Sequence, residues 1–408
     1  MRKALIATAI AFIVCSNFVA SGRLANEQSE KKVDERLTAA TSRFAFKLYS
    51  QIVKERGDKN VFVSPSSVGL ALAMTYNGAE GETRQAMAQT LEIQGMSVEE
   101  VNRAFAELKS VLTNLDPKVQ LKIANSLWAD KKFSLNPAFI QRNKEYYGAE
   151  VASFDSLDPS AVDRINSWVA KNTENKILKI IEQINPEEFL FLINAIYFKG
   201  QWQFEFEKIK TKDDVFKLAA GGQKKLPMMF QSRQYAYYEE KDFQAVALPY
   251  GKGRVNMYVF LPSEQSSLKQ FEQKLTAENW ATWMQGFRPR PGDLTLPRFK
   301  VEYEASLNKV LKSIGMGEAF DPERADFSAL AELKGQKVYI TKVKHKAVVE
   351  VNEEGTEAAA VTSVGVGVTS AQVPREKFTM KVDRPFFFAI RDNRTGVVLF
   401  MGSIADPK

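Results

Sequence analysis

The sequence predicts an α+β fold, because apolar residues recur at helical spacing in some stretches and form strand-like runs in others. Phe44, Leu48 and Ile52 make one helical stripe that ends before Gly57. Residues 189–202 are an almost unbroken apolar run, which favours a central strand buried on both faces. With 408 residues, 45% of them hydrophobic, the chain can bury a large core.

The first half of the chain continues with alternating strand and helix signals. A short strand runs from Val61 into Ser64-Pro65, where a helix begins. Ser97 to Glu100 is a capping box at the start of an amphipathic helix. Residues 121–130 predict a strand. Asn136-Pro137 and Asp158-Pro159 predict helix starts with proline in the first turn.

The second half is dominated by strands. Residues 248–262 predict a hairpin that turns at Lys252-Gly253. An apolar, strand-like run extends from Ala347 to Val351, and a further strand candidate ends at residues 384–388. We find no internal repeat and no low-complexity tract in the sequence.

Residues 353–370 fit both a strand and a loop. Small or β-branched side chains fill the stretch, and alternate residues can face a core. The inward set is Thr356, Ala358, Ala360, Thr362, Val364, Val366 and Val368. The glycines near its end and Pro374 are typical of an exposed loop. The pattern therefore indicates either a segment with two states or an ordinary strand followed by a glycine-rich turn.

Two motifs resemble the serpin family of protease inhibitors. Glu-Glu-Gly-Thr-Glu-Ala-Ala-Ala at 353–360 resembles the hinge of an inhibitory serpin's reactive-centre loop, and residues 383–407 resemble the family's C-terminal signature. The likeness extends over residues 37–408, including 61–93 and 189–202. It implies one serpin domain with three β-sheets, about nine α-helices and an exposed reactive-centre loop.

The resemblance also implies particular functional residues. The loop's hinge comprises Glu353, Glu354, Gly355, Thr356, Glu357, Ala358, Ala359, Ala360 and Val361. A polar latch under the middle of the main sheet comprises Ser64, Ser67, Asn194 and His345. At the top of that sheet, Trp202 marks where insertion begins, and Arg298 and Glu353 form a basic–acidic pair. An ordinary surface ion pair is the alternative interpretation of the last two residues.

Counting along the loop from Gly355, as in the family, places the reactive bond at Thr369–Ser370. The small, aliphatic Val368-Thr369 favours an elastase-like or subtilisin-like serine protease over a trypsin-like one. Arg375 is a second candidate site of attack, and the long segment that follows Thr369 allows a shift of a few residues. Cathepsin-like cysteine proteases stay open as targets.

The function implied by the resemblance is that of a suicide-substrate inhibitor. The target protease forms a covalent acyl-enzyme with the loop, which then inserts into the main sheet. The native protein is expected to be a metastable monomer that can polymerise by pairing its loop with a neighbour's sheet. The alternative is a non-inhibitory serpin that acts as a carrier or chaperone-like protein.

Catalysis by the protein itself is not expected. His345 is the only histidine, and there is no G-x-S-x-G motif. One histidine and one cysteine provide no cluster of metal ligands, and the Gly-x-Gly pairs lack the strand–helix context of a nucleotide loop. The sequence therefore predicts no metal, no cofactor and no enzyme activity. A hydrolase on this fold would need some other catalytic site.

The charge pattern argues against a nucleic-acid partner. The formal net charge is +7, but no dense basic cluster with interleaved aromatic residues occurs. Lys109, Lys118 and Lys122 surround one predicted helix, as either a polyanion site or a solvated face.

Residues 1–22 predict a secretory signal peptide, with Arg2 and Lys3 before an apolar run and Ala20-Ser21-Gly22 at the cleavage site. Residues 23–36 predict a flexible lead-in. The run is short for a membrane span, so no stable membrane association is expected. We expect a secreted protein, extracellular or periplasmic, from a prokaryotic source. The alternative is a lipid anchor at Cys15.

Overall fold

The computed structural model describes residues 33–332, 337–356 and 376–408, and within these ranges it contains nine α-helices and three β-sheets. The helices are α1 (Glu35–Glu55), α2 (Pro65–Tyr76), α3 (Gly81–Leu91), α4 (Val98–Thr113), α5 (Pro137–Tyr147), α6 (Ala161–Asn172), α7 (Leu268–Gln273), α8 (Ala277–Gly286) and α9 (Asn308–Leu311). The predicted α+β class and the three-sheet architecture are confirmed.

The strands follow in chain order. They are β1 (Val61–Val63), β2 (Val119–Asp130), β3 (Ser134–Leu135), β4 (Glu150–Phe154), β5 (Leu190–Gln201), β6 (Lys212–Lys217), β7 (Gln223–Glu240), β8 (Phe243–Tyr250), β9 (Val255–Pro262), β10 (Arg288–Pro297), β11 (Phe299–Ser306), β12 (Ala331–Glu332), β13 (Lys342–Val351), β14 (Gly355–Thr356), β15 (Phe378–Lys381), β16 (Phe386–Asp392) and β17 (Val398–Ile404).

The main sheet has six strands in the order β11-β13-β14-β5-β2-β4. The long apolar run becomes β5, which pairs antiparallel with β2 and parallel with β13. Only the upper end of this strand pair admits β14, which pairs with both neighbours. The sheet is therefore continuous below and split by a third strand above.

The second sheet joins distant parts of the chain. Its strands run in the order β1-β17-β16-β9-β8-β7-β10-β15, with β6 paired to β7, and β12 and β3 form a separate two-stranded sheet. The predicted hairpin is the β8–β9 pair, with its turn at residues 251–254.

Both faces of the main sheet are covered by other elements. Its central strands therefore need apolar residues on both faces. On one face lies α2, all of whose residues are buried, and it contacts β5 and β2 as well as β17 of the second sheet. On the other face, Ile165 and Val169 of α6 belong to a separate apolar cluster with Trp128 and Phe191. A polar side chain within this sheet therefore has to find its partner inside the protein.

The structure contains the capping residues that the sequence predicts at the starts of two helices. Ser97 and Glu100 form the predicted capping box, with hydrogen bonds of 3.2 Å and 2.8 Å. Asn136 caps α5, and Pro137 is its first residue. Each side-chain cap satisfies an amide group that the first helical turn leaves unpaired, and Pro137 has no amide hydrogen that needs a partner.

Three predicted boundaries are corrected. The helix expected at Asp158-Pro159 begins two residues later, because the Asp158 carboxylate accepts from the Ser160 amide in a turn and α6 starts at Ala161. Phe386 begins β16, although the sequence pattern placed it at a strand's end. Helix α1 starts at Glu35, inside the predicted lead-in, because Asp34 caps it. The predicted signal peptide and Cys15 lie outside the described residues.

Candidate functional site

The middle of the main sheet holds a buried polar pair between β5 and β13. His345 and Asn194 are direct partners in the parallel register of the two strands. His345 Nδ1 lies 2.5 Å from Asn194 Oδ1, and both side chains are buried. The pair therefore links the two strands by their side chains at a level where their backbones are also paired.

The hydrogen bonds of His345 assign its tautomer. The amide of Ser64 donates to Nε2 at 3.3 Å, so Nε2 carries a lone pair and the proton is on Nδ1. Nδ1–H then donates to Asn194. Burial lowers the pKa of His345 to about 3, because no charged partner offsets the loss of water. The imidazole is neutral at ordinary pH and acts as a hydrogen-bonding element.

Helix α2 and the residue that caps it supply the other two residues of the cluster. Asn194 Nδ2 donates to Ser67 Oγ at 2.5 Å and to the Ser67 carbonyl at 3.1 Å. Ser64 caps α2, and its hydroxyl donates to the Leu399 carbonyl of β17 at 2.7 Å. The structure thus brings all four residues of the predicted latch together. Their action as a latch stays a prediction.

The sequence prediction missed one member of this cluster. Asn125 of β2 lies beside Asn194 in register, and its Oδ1 accepts from Asn194 Nδ2. The available signal was a polar residue within the apolar strand run at 121–130. Its importance became visible only once β2 was known to lie next to β5.

At the upper end of the sheet, Trp202 closes the core over the hinge. It is 3% exposed and stacks on Tyr250, with ring centroids 4.3 Å apart. Its Nε1 donates to the Asn352 carbonyl at 2.9 Å, and its amide donates to the Glu354 carbonyl at 2.9 Å. Trp202 therefore holds the backbone at residues 352–354 through hydrogen bonds and the Tyr250 ring through stacking.

Arg298 and Glu353 form more than a surface ion pair. Arg298 Nε lies 2.8 Å from each Glu353 carboxylate oxygen, and Thr211 Oγ1 donates to Oε1 at 2.5 Å. Glu353 is 2% exposed, whereas Arg298 is 42% exposed. Burial alone would raise the pKa of Glu353, but the hydrogen bonds from Arg298 and Thr211 outweigh it and lower the pKa. Thr211 is a second residue that the sequence did not indicate.

The hinge enters the sheet as β14. Gly355 pairs with Gln201, and Thr356 pairs with Gly200 on one side and Val351 on the other. A Cβ atom on Gly355 would lie 2.0 Å from the Gly200 carbonyl oxygen, so only glycine fits. This close approach explains why the third residue of the hinge is glycine.

Thr356 is buried, and its hydroxyl lies 2.7 Å from the Tyr250 hydroxyl. It is the first inward residue of the predicted alternation. Burial raises the pKa of the Tyr250 hydroxyl, so this group stays protonated. Tyr250 thus links Thr356 to the Trp202 stack, a role that its position at the end of β8 did not suggest.

The remaining loop residues lie outside the described part of the chain. These are Glu357, Ala358, Ala359, Ala360 and Val361 of the hinge, the predicted reactive bond Thr369–Ser370, and the second candidate Arg375. The structure therefore places the entrance to the loop and leaves its reactive centre as a sequence prediction.

Two of the three lysines weighed as a polyanion site are engaged within the protein, and the third, Lys118, is exposed. Lys109 is partly buried and donates to the Tyr147 carbonyl, and burial lowers its pKa. Lys122 pairs with Glu174 at 3.1 Å. Within residues 33–332, 337–356 and 376–408, we find no metal-binding group of His, Cys, Asp and Glu, and no helix long and apolar enough to cross a membrane.

Comparison with known proteins points to one family. The family model described as "Serpin (serine protease inhibitor)" matches residues 39–407. Leukocyte elastase inhibitor of Homo sapiens is 35% identical over 388 residues, covering 91% of this chain and 100% of that protein. Serpin B6 of Pongo abelii is 35% identical over 383 residues, covering 91% and 99%.

Solved structures agree with this result. The native state of the thermophilic serpin tengpin has a TM-score of 0.84 and 34% identity, covering 93% of this chain and 96% of that one. Thyroxine-binding globulin in complex with thyroxine has a TM-score of 0.80 and 28% identity, covering 91% and 99%.

These relatives correct one statement made from the sequence. The absence of a catalytic motif from the sequence predicts simply that the protein is not an enzyme. The family description and the relatives named leukocyte elastase inhibitor instead name protease inhibitors. The count of histidines decides nothing about the part that the chain takes in a protease reaction.

Proposed function

The chain belongs to the serpin family, and on that premise we propose that it is a suicide-substrate inhibitor of serine endopeptidases. In this proposal the cleaved loop inserts into the main sheet and traps the acyl-enzyme. The observation that carries it is β14, because Gly355 and Thr356 of the hinge are already paired with β5, and Thr356 is paired with β13 as well. Insertion would extend a strand that exists in the native state.

The register of β14 indicates where further insertion would lead. Thr356 lies opposite Gly200 of β5 and Val351 of β13, and both pairings are antiparallel. Six residues further along the inserted strand, Thr362 would come opposite Asn194 on one side and His345 on the other. Insertion to this level would separate His345 from Asn194 and offer each of them a threonine hydroxyl instead.

The chemical step that precedes insertion is ordinary acyl transfer. The protease serine oxygen attacks the carbonyl carbon of Thr369, and an ester bond forms as the Thr369–Ser370 peptide bond breaks. The proton of the serine passes through the protease's base to the amine that leaves on Ser370. The inhibitor remains attached to the protease through Thr369 until water cleaves the ester.

The free-energy gain would come from an additional strand. Separation of β5 from β13 loses seven paired positions of one parallel ladder, and insertion provides two antiparallel ladders in their place. Each net backbone hydrogen bond contributes about 0.5–1.5 kcal/mol, so a full strand adds on the order of 10 kcal/mol. Loop insertion in serpins is an established case of such strand addition and of stored strain released by a conformational switch.

The preferred targets in this proposal are elastase-like or subtilisin-like proteases. Val368 and Thr369 are small or β-branched residues, which suit a shallow specificity pocket. The relatives named leukocyte elastase inhibitor support this choice. Arg375 would direct a trypsin-like protease to a site six residues further along.

A carrier function is the second candidate. It is favoured by the similarity to a thyroxine-binding globulin that is in complex with its ligand. Against it, the hinge carries small residues at its inward positions, and bulky or charged residues there would prevent insertion. Thr356, the first inward residue of the hinge, is already paired between β5 and β13 in the native state, which also supports inhibition over transport alone.

The test is to mix the mature protein with elastase, subtilisin, trypsin, chymotrypsin and papain. Denaturing gels would detect a covalent complex, and mass spectrometry would locate the cleaved bond. We expect a denaturant-stable complex with elastase or subtilisin and release of a peptide that begins at Ser370. Cleavage near Thr369 without a complex, and without a large rise in melting temperature, would favour the carrier function.

We also propose that the protein is secreted as a monomer after removal of residues 1–22, from a prokaryotic source. The basic and apolar order of the first 22 residues supports secretion. The intact mass of the exported protein distinguishes a chain that begins near residue 23 from one that keeps a lipid at Cys15. Sedimentation of that protein measures its oligomeric state.

A further inference from the structure

A second site lies away from the hinge and the His345 cluster. A cavity of about 790 Å³ opens between the C-terminal end of α1, helix α7 and the two residues that precede β16. It shares no lining residue with the hinge or the polar cluster. Its volume lies within the range of about 300–1,000 Å³ that is usual for small-molecule sites.

Part of the cavity wall is apolar. Val53 of α1 and Leu268 of α7 line it, together with Pro262 and Pro385. Leu268 is buried in the core, so this wall is continuous with the hydrophobic interior. Such a surface favours a ligand with an apolar body over an inorganic ion.

The floor of the cavity is a buried and organised polar network. Arg56 Nη2 lies 2.9 Å from Glu272 Oε2, and the two side chains are 8% and 5% exposed. Glu272 Oε1 accepts from Ser403 Oγ at 2.5 Å, and the Tyr49 hydroxyl lies 2.5 Å from the same Ser403 oxygen. Arg56 Nε is buried and has no acceptor in the described part of the chain. The ion pair therefore leaves the guanidinium with unused donor capacity.

The rim provides further positive charge. Lys54 and Lys269 both line the cavity and are exposed. Neither lysine has an ion-pair partner within residues 33–332, 337–356 and 376–408, whereas the cavity's arginines are paired. Asp58 is the only lining carboxylate besides Glu272 in that part of the chain. The cavity thus combines an apolar wall with a surplus of positive charge.

We propose that this cavity binds a small organic anion, a carboxylate or sulfonate that carries an apolar body. The head group is held by Lys54 and Lys269, and the body lies against Val53 and Leu268. Arg56 and Glu272 neutralise each other and keep the floor rigid. This site goes beyond protease inhibition and does not require it.

Isothermal titration calorimetry of the mature protein with dodecanoate, below its critical micelle concentration, tests the proposal. We expect one site per chain and binding at least about tenfold tighter than that of inorganic phosphate, because phosphate cannot use the apolar wall. Phosphate that binds as tightly as dodecanoate would overturn the proposed ligand class.

Three variants separate this site from general surface binding. The double variant Lys54→Glu, Lys269→Glu is expected to weaken binding by about tenfold or more per lysine. Ser50→Phe fills the cavity from α1 without a change of charge and is expected to abolish binding. Lys171→Glu alters an exposed lysine of α6 and is the control for the two units of charge that each of the two lysine substitutions changes.

Unchanged dodecanoate affinity in either the double variant or Ser50→Phe would disprove the site. An equal loss in Lys171→Glu would also disprove it, since the effect would then come from net charge alone. The readout is heat of binding, so failure of protease inhibition does not affect the result.

Discussion

The upper end and the middle of the main sheet hold β5 and β13 by different kinds of interaction. At both levels β5 and β13 have to be held, yet at the top β14 separates them and in the middle they pair directly. The top is closed by the Trp202–Tyr250 stack and the Arg298–Glu353 pair, which includes a charged group open to water. The middle is closed by a neutral cluster with no exposed member.

The difference between the charged pair and the neutral cluster indicates which interactions can be broken at low free-energy cost if the sheet opens. A neutral hydrogen bond such as His345 to Asn194 contributes about 0.5–1.5 kcal/mol net and can be exchanged for another neutral partner. Separation of a buried ion pair would cost more free energy, because each unpaired buried charge costs several kcal/mol. The charged pair therefore lies where the sheet is already open, and the neutral cluster lies where it would have to open.

The largest expected effect comes from Thr356→Arg. Thr356 is fully buried in β14, and a charge forced inward there lacks a partner. We expect β14 to leave the sheet and the partition between inhibition and cleavage to shift by about tenfold or more toward cleavage. Stoichiometry of inhibition against elastase measures this.

The matched control is Thr356→Ser, which keeps the hydroxyl near Tyr250 and is expected to inhibit almost normally. If Thr356→Arg still forms a covalent complex with unchanged stoichiometry, the insertion mechanism is wrong. If the serine variant fails as well, the methyl group rather than charge decides the behaviour of this position.

The next effect is on the middle of the sheet. His345→Ala leaves the Ser64 amide and the Asn194 oxygen without partners and opens a small void. We expect a loss of about 3 kcal/mol in unfolding free energy and faster polymerisation on warming. Urea unfolding and native gels measure the two outcomes.

Lys344→Gln changes the adjacent residue of β13, whose side chain instead pairs with Glu304 at 3.1 Å. It is expected to change stability by less than about 1 kcal/mol. Equal losses in the two variants would show that any change in β13 has this effect and that the cluster has no special part.

A smaller effect is expected at the top of the sheet. Arg298→Ala leaves Glu353 buried with Thr211 as its remaining side-chain donor. We expect a loss of about 2 kcal/mol, reduced by water that reaches the partly exposed position of Arg298. Arg298→Lys keeps the positive charge but cannot make the bidentate hydrogen bonds of arginine, so it should recover only part of the stability lost in Arg298→Ala. Differential scanning calorimetry compares the three proteins, and equal melting temperatures would contradict the importance of this pair.

The smallest effect is the pH dependence that the middle cluster contributes between pH 6.5 and 5.5. Because the folded pKa of His345 is lowered to about 3 from 6.5, the native state binds fewer protons than the unfolded state. Its contribution to stability is complete above pH 6.5 and is lost progressively as pH falls toward 3, at up to about 1.4 kcal/mol per pH unit.

Since His345 is the only histidine, the interval from pH 6.5 to 5.5 isolates its contribution. Burial raises the pKa of Glu272, which opposes the trend at lower pH. We expect urea midpoints to fall across this interval in the native protein and to stay flat in His345→Gln. A decline of the same slope in both proteins would assign the effect to other groups.

Local pattern alone determined much of the architecture. The unbroken apolar run at 189–202 identified the central strand, because a strand covered on both faces needs no polar alternation. Capping at Ser97 and Asn136 fixed two helix starts, since cap side chains act on amides within the next turn. The likeness of residues 353–360 to a known hinge also identified Gly355 and Thr356 as special before their surroundings were known.

Only the tertiary structure decided which distant residues meet. Thr211 and Tyr250 carry no local signal, and Asn125 is marked only as a polar residue in an apolar run, because hydrogen bonds across a sheet depend on strand order and register. The Arg298–Glu353 pair could not be told from a surface ion pair until the burial of Glu353 was known. The cavity beside α1 likewise exists only where three separate segments pack together. Sequence fixes the elements through local physics, and the contacts between them depend on how the whole chain packs.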